Sequence, residues 1–173
     1  MINIKNYWLR AMEESDLEWM KKLRNDESTW TQLGHFVFLN DNRQKKWFDS
    51  LINDSSKEYL IYGENDNNLG IVRLTDIDRI NRSMAVGGDI LLEHRGKGHG
   101  KMMYKLIFRL GFEIWGLHRL WLHVLATNET AIKLYKKMGF TKEGVQRKAV
   151  LKDGKFVDYI MMSMLADEYQ KTN

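Results

Sequence analysis

Between Glu93 and Met103 the chain reads EHRGKGHGKMM, with Gly96, Gly98 and Gly100 at alternate positions among Arg95, Lys97, His99 and Lys101. The run that follows sets Met103, Leu106, Ile107, Leu110 and Ile114 along one side and reads as a helix. Amides at a helix start lack intrahelical partners, and the helix dipole places partial positive charge there. A glycine-rich lead-in lets several amides converge on one anion, and Arg95, Lys97 and Lys101 add charge-assisted contacts. The chemistry is phosphate binding. The spacing is not a dinucleotide fingerprint, because counting on from Gly96 and Gly98 gives Lys101 where that fingerprint has glycine. No G-K-[ST] follows four residues after a glycine, so it is not a P-loop either. A plain surface loop with a basic rim is the bland alternative.

The elements that must position this loop can be read around it. Ile4–Arg10 reads as an opening strand, and the helix of SDLEWMKKLRN follows, with Ser15 and Glu18 spaced as a capping box. A polar and aromatic loop, Asp26–Leu39, leads to a second helix at about Asp41–Ile52. EYLIYG, LGIVRLTDI and SMAVGGDILL read as an antiparallel meander, with Gly87 and Gly88 suggesting a bulge or close backbone approach. After the glycine loop and its helix, HRLWLHVLA is apolar on both faces, as in a buried central strand. NETAIKLYKKM reads as a short helix closed by Gly139, and the chain finishes on a hairpin around KDGK. The expected class is α/β, with a mixed, mostly antiparallel sheet of about seven strands flanked by about four helices.

Bulk properties narrow the chemistry further. At 173 residues the chain suits one domain, residues 1–173, with a single sizeable core. It has no cysteine, which excludes disulfides, a thiolate nucleophile and a Cys-built zinc site, and fits a cytoplasmic location. No His and carboxylate set has metal-site spacing, so no metal is expected. The N-terminus lacks an apolar signal core, and no run approaches the length of a membrane span. A net charge of +4 fits an anionic ligand, but no Lys/Arg block of nucleic-acid type appears, so neither nucleic acid nor membrane is an expected partner.

RGKGHG (Arg95–Gly100) after an apolar strand resembles the R/Q-x-x-G-x-G/A signature of the GNAT superfamily of acetyl-CoA-dependent N-acetyltransferases. NETAIKLYKKMGF resembles that family's N-x-x-A-x-x-L-Y-x-x-x-G-F segment, through Asn128, Ala131, Leu134, Tyr135, Gly139 and Phe140. The resemblance implies a GNAT-like domain with an acceptor-side half, 1–80, and an acetyl-CoA half, 81–165. It implies acetyl-CoA as co-substrate, with its pyrophosphate on Arg95, Gly96, Lys97, Gly98, His99, Gly100 and Lys101. It also implies backbone contacts from Ile90, Leu91 and Leu92 to the pantetheine arm, and a contact from Asn128, which equally suits a helix cap.

The same resemblance implies direct attack of an amine on the thioester, with Tyr135 as acid toward the leaving thiolate. The absent cysteine agrees, although an acyl-enzyme on Ser, Lys or Tyr is not excluded by it. His123 falls where relatives of this family carry a glutamate, and an imidazole is a reasonable base at neutral pH; a neutral core histidine is the bland reading. Glu93, Asp89 and a water chain are the other candidate bases.

For the acceptor, LRND with Trp30 and RQKKWF resembles nucleotide-linked amino-sugar N-acetyltransferases, implying that Arg24, Asn25, Trp30 and Trp47 bind substrate. The C-terminal half resembles ribosomal-protein N-terminal and spermidine acetyltransferases equally well. Residues 25 to 48 show no acidic excess, which counts against a polyamine. A non-catalytic acetyl-CoA-binding module is the reading from another class. Assembly as a homodimer, through strand edges, is compatible with all of these.

Overall fold

A computed structural model describes residues 1–34 and 37–172. Its centre is one eight-stranded sheet in the order β1-β2-β3-β4-β5-β6-β8-β7. The expected opening strand is a hairpin, β1 (Ile2–Ile4) and β2 (Tyr7–Ala11), because Lys5 adopts a left-handed φ of 55° and reverses the chain. The meander β3 (Glu58–Glu64), β4 (Asn67–Asp78) and β5 (Ser83–Ile90) forms as expected. Its irregularities lie at Tyr62–Gly63 between β3 and β4 and at Asp76 and Ile77 in β4; Gly87 and Gly88 pair in regular register with Arg73 and Val72.

The helices are α1 (Leu17–Asn25), the single turn α2 (Glu27–Trp30), α3 (Asp41–Ser50), α4 (His99–Phe108), α5 (Glu129–Lys137) and α6 (Ala166–Thr172). A π-helical segment, Arg109–Ile114, prolongs α4. Among the described residues there are thus six α-helices; α2 and α6 exceed the sequence expectation because each is too short to show periodicity. The Ser15–Glu18 capping box does not form. Asp16 takes its place: it accepts from the Glu13 amide at 2.9 Å and from the Arg10 guanidinium at 2.6 and 2.7 Å.

Side-chain alternation distributes the core over both faces of the sheet. Leu60, Tyr62, Val72 and Leu74 pack with Met103, Leu106, Ile107 and Leu110 of α4 and its extension, whereas Ile61 and Ile71 pack with Met20 and Leu23 of α1. The runs EYLIYG and LGIVRL therefore look uniformly apolar because helices cover both sides of them.

β6 (Arg119–Leu125), β7 (Thr141–Lys152) and β8 (Lys155–Leu165) complete the sheet. Among the described residues the only parallel pair is β5 with β6, joined by the α4 crossover, and it extends only over Ser83–Ala85 against Arg119–Trp121. Past Ala85, β5 follows β4 as far as Gly70 opposite Ile90, and β6 follows β8 as far as Leu125 opposite Tyr159. The sheet splits into a wedge.

Farther out, Arg119 donates to Glu143, and Ser163 Oγ donates to the same carboxylate at 2.7 Å. The guanidinium beside it holds the Glu143 carboxyl down to about 2 from its ordinary 4.5. A depressed carboxyl contributes stability above its unfolded pKa and loses it as pH falls through the folded one. Glu143→Gln should lower the urea midpoint at pH 7, and its gap from the parent should close between about pH 4.5 and 2.

Candidate active site

The wedge between β5 and β6 encloses a cleft of about 770 Å3. Val86–Ile90 form one wall and Leu122–Leu125 the other; Met103 and Tyr104 of α4 and Leu134 and Tyr135 of α5 lie at its back. Along Val86–Ile90, the backbone edge that faces β6 pairs with no strand, because the β5–β6 ladder ends at Ala85. Apart from the Ile90 carbonyl, which accepts from Arg95, the amides and carbonyls on that edge are open to a ligand that lies along the strand as a further strand would.

The glycine loop stands at one end of this cleft. Gly96 and Gly98 have φ of +75° and +86°, the left-handed region that side chains rarely adopt, and nothing lies within 4 Å of where a Cβ would project from either. Lys97 and Lys101 are exposed, and the cleft reaches the loop at Arg95 and Gly100. The open amides at the start of α4, with two exposed lysines beside them, fit an anionic pyrophosphate. His99 does not face it. Its ring is buried against Tyr7, and its main-chain carbonyl accepts from the Tyr62 hydroxyl at 3.0 Å.

Arg95 is the main surprise within the motif. Its Nε donates to the Ile90 carbonyl at 2.8 Å, and its two amino groups donate to the carbonyl and hydroxyl of Ser28 and to the Thr29 hydroxyl at 2.7 to 3.0 Å. The guanidinium ties the α2 turn to the end of β5 and is not free for a phosphate. Ile90 lines the cleft as expected, whereas Leu91 and Leu92 lie beyond it. The Leu91 amide bonds to the Leu69 carbonyl, and Leu92 opens an exposed turn. The stretch alongside the cleft is Val86–Ile90, a few residues upstream of the sequence expectation.

Tyr135 sits on the cleft wall with its ring 5.3 Å from that of Tyr104 and 5.8 Å from that of Phe140. Burial pushes its phenol above the ordinary value, and the Tyr104 hydroxyl offsets part of that. Asn128 caps α5, accepting from the Ala131 amide at 3.1 Å, and also lines the cleft, so both of its expected roles are compatible with its position.

Of the candidate bases, His123 is not a core histidine: it is exposed into the cleft and stacks on Tyr159 at 5.5 Å, with Trp121 edge-on at 5.4 Å. Glu93 is exposed on the turn outside the cleft. Asp89 lines the cleft but accepts from Arg73 and lies 3.6 Å from Arg24.

The four expected acceptor residues separate. Asn25 is engaged structurally, exchanging two hydrogen bonds with the backbone of Leu39 at 2.8 and 2.9 Å. Trp30 does not line the cleft and carries the Lys152 ammonium 5.5 Å above its ring. Arg24 and Trp47 meet instead in a smaller pocket beside Tyr59 and Arg73. Arg73 and Tyr59 were not singled out from sequence, although an arginine inside the apolar run LGIVRL was a visible signal. No group of three or more His, Cys, Asp or Glu able to hold a metal occurs among the described residues.

Residues 6–141 match the family model described as acetyltransferase (GNAT) domain. The chain belongs to the GNAT acetyltransferases. It is 28% identical over 162 residues to the spermidine N(1)-acetyltransferase of Vibrio cholerae, covering 93% of this chain and 94% of that protein. The Escherichia coli K12 spermidine N(1)-acetyltransferase is 30% identical over 166 residues, with 93% and 87% covered. The crystal structure of the Vibrio cholerae spermidine N-acetyltransferase in complex with CoA and spermine superposes with a TM-score of 0.92 at 26% identity, covering 96% and 99% of the two chains. This GNAT protein is therefore an acetyl-CoA-dependent N-acetyltransferase on the mixed sheet its sequence led one to expect.

Proposed function

We propose that the chain acetylates a small primary amine by direct attack within a ternary complex, in the cleft between β5 and β6. The observation that carries this is the unpaired edge of Val86–Ile90 facing Tyr135 across one continuous space. Bound acetyl-CoA supplies the thioester whose carbonyl carbon the amine attacks. Gly96, Gly98, Gly100, Lys97 and Lys101 hold the pyrophosphate end, and the free amides near Gly87 and Gly88 stabilise charge developing on the carbonyl oxygen. Tyr135 delivers its proton to the departing sulfur, and His123 accepts the proton that the amine nitrogen gives up.

If His123 is the base, His123→Ala removes the acidic limb of the pH–rate profile while acetyl-CoA binding persists. A limb that survives in the folded variant assigns the proton transfer elsewhere.

For the acceptor, the relatives' names support spermidine, and no relative reported above supports the nucleotide-linked amino sugar. That earlier expectation also has Asn25 and Trp30 engaged elsewhere. A second reading, an amine that itself carries an anion, is favoured by the two arginines of the smaller pocket. Acetyl-CoA-dependent thiol release with spermidine is the direct test: turnover supports the polyamine, and its absence in a protein that binds acetyl-CoA leaves the second reading. A cytoplasmic location and a homodimer formed through the edge strands β1 or β7 belong to the same proposal; among the described residues no helix is long and apolar enough to cross a membrane.

A further inference from the structure

The smaller pocket, about 160 Å3, opens on the α1 face of the sheet and is lined by Arg24, Gln44, Trp47, Tyr59, Ile71 and Arg73 among others. Arg73 lines this pocket and the main cleft alike. Gly87, its partner in the β4–β5 register, makes that position accessible: a Cβ there would stand 3.1 Å from Arg73 Nη2. A side chain at residue 87 would crowd the guanidinium from the main cleft, which Gly87 lines.

The charges at this junction do not balance. Arg73 donates to the Asp89 carboxylate, and Arg24 meets the same oxygen only at ion-pair distance, 3.6 Å. Two guanidinium groups thus share one carboxylate, and no acidic side chain lines the pocket among the described residues. Burial, followed by the repulsion of Arg73, holds the Arg24 guanidinium below its ordinary pKa. An additional cation placed here would raise that repulsion, whereas an anion would relieve it and accept from a planar fork of donors.

Two of the remaining lining residues are aromatic. Trp47 and Tyr59 meet edge-on with ring centroids 4.8 Å apart and offer apolar faces to a short carbon skeleton. The pocket is smaller than the roughly 300–1,000 Å3 that encloses a drug-sized ligand, so it suits a compact group.

We propose that Arg24 and Arg73 form a subsite for a carboxylate or phosphate carried by the acceptor, which is therefore a small anionic amine and not a polycation. The proposal rests on the acetyltransferase reading and takes the second of its two acceptors.

Thiol release would be measured with two matched pairs, phosphoethanolamine against ethanolamine and β-alanine against propylamine, and with spermidine. The anionic member of one pair should exceed both its partner and spermidine in kcat/KM by about tenfold or more, and the pair that responds tells phosphate from carboxylate. Arg24→Gln should lower that kcat/KM about 30-fold or more, chiefly through the amine KM, with acetyl-CoA affinity unchanged; Arg24→Lys should restore part of it. Calorimetric acetyl-CoA binding establishes that each variant is folded. A protein that binds acetyl-CoA but prefers spermidine, or shows no preference within either pair, overturns the subsite and leaves the acetyltransferase reading intact. An Arg24→Gln variant with unchanged amine KM overturns it equally. Failure to bind acetyl-CoA at all overturns both.

Discussion

Tyr135→Phe is expected to lower kcat by about 10²- to 10³-fold while changing acetyl-CoA affinity less than about threefold. The substitution removes one hydroxyl and keeps the ring, so the packing against Tyr104 and Phe140 should survive. The size of the effect follows from the role proposed: without a proton donor the departing sulfur leaves as a free thiolate. Burial raises the phenol's pKa, which keeps the proton in place at neutral pH but makes its transfer less downhill. The Tyr104 hydroxyl, which is buried and meets no partner at hydrogen-bond distance, works in the other direction by favouring the phenolate. Steady-state turnover paired with calorimetry on the same variant checks the prediction. Unchanged kcat would return Tyr135 to a packing role and pass the proton to water.

The second large effect is expected at Gly98→Trp, which should weaken acetyl-CoA binding about 100-fold or more. Two causes combine. A side chain at φ +86° carries a backbone cost of about 1–2 kcal/mol. The indole also projects into the open space before α4, where nothing lies within 4 Å of the new Cβ and where the pyrophosphate would dock. Gly98→Ala separates the causes, since it brings the strain without the bulk and should weaken binding far less. Because the space is open to solvent, the fold should persist, which a thermal melt would verify. Binding like that of the parent chain in the Trp variant would mean that the loop does not cradle the pyrophosphate.

The glycine loop and α5 were legible because their signals are local. Gly96, Gly98 and Gly100 lie within five residues of one another, and their conformations and the helix start behind them follow from neighbouring residues alone. Asn128 caps the short helix that carries Tyr135, where spacing fixes direction. The acceptor side was less legible because its side chains choose distant partners. Arg95 looks like a phosphate ligand in sequence, yet its donors end on Ser28 and Thr29, more than 60 residues away. Asn25 looks like a cap or sugar contact, and it fastens the backbone at Leu39. Ser15 and Glu18 have the spacing of a capping box, but Asp16 forms the box with Glu13, two residues earlier, and pairs with Arg10 as well.

By itself the sequence determined the family and most of the α/β order of elements, and it placed the glycine loop before α4 and Tyr135 on α5, because each depends on contacts within a few positions. The tertiary structure decided where β5 and β6 part, and hence that Val86–Ile90 rather than Leu91 and Leu92 border the cleft. It also decided that His123 faces open space and that Arg24, Arg73 and Asp89 share one junction. These depend on strand register and on side chains brought together from separate elements, and no spacing along the chain encodes them.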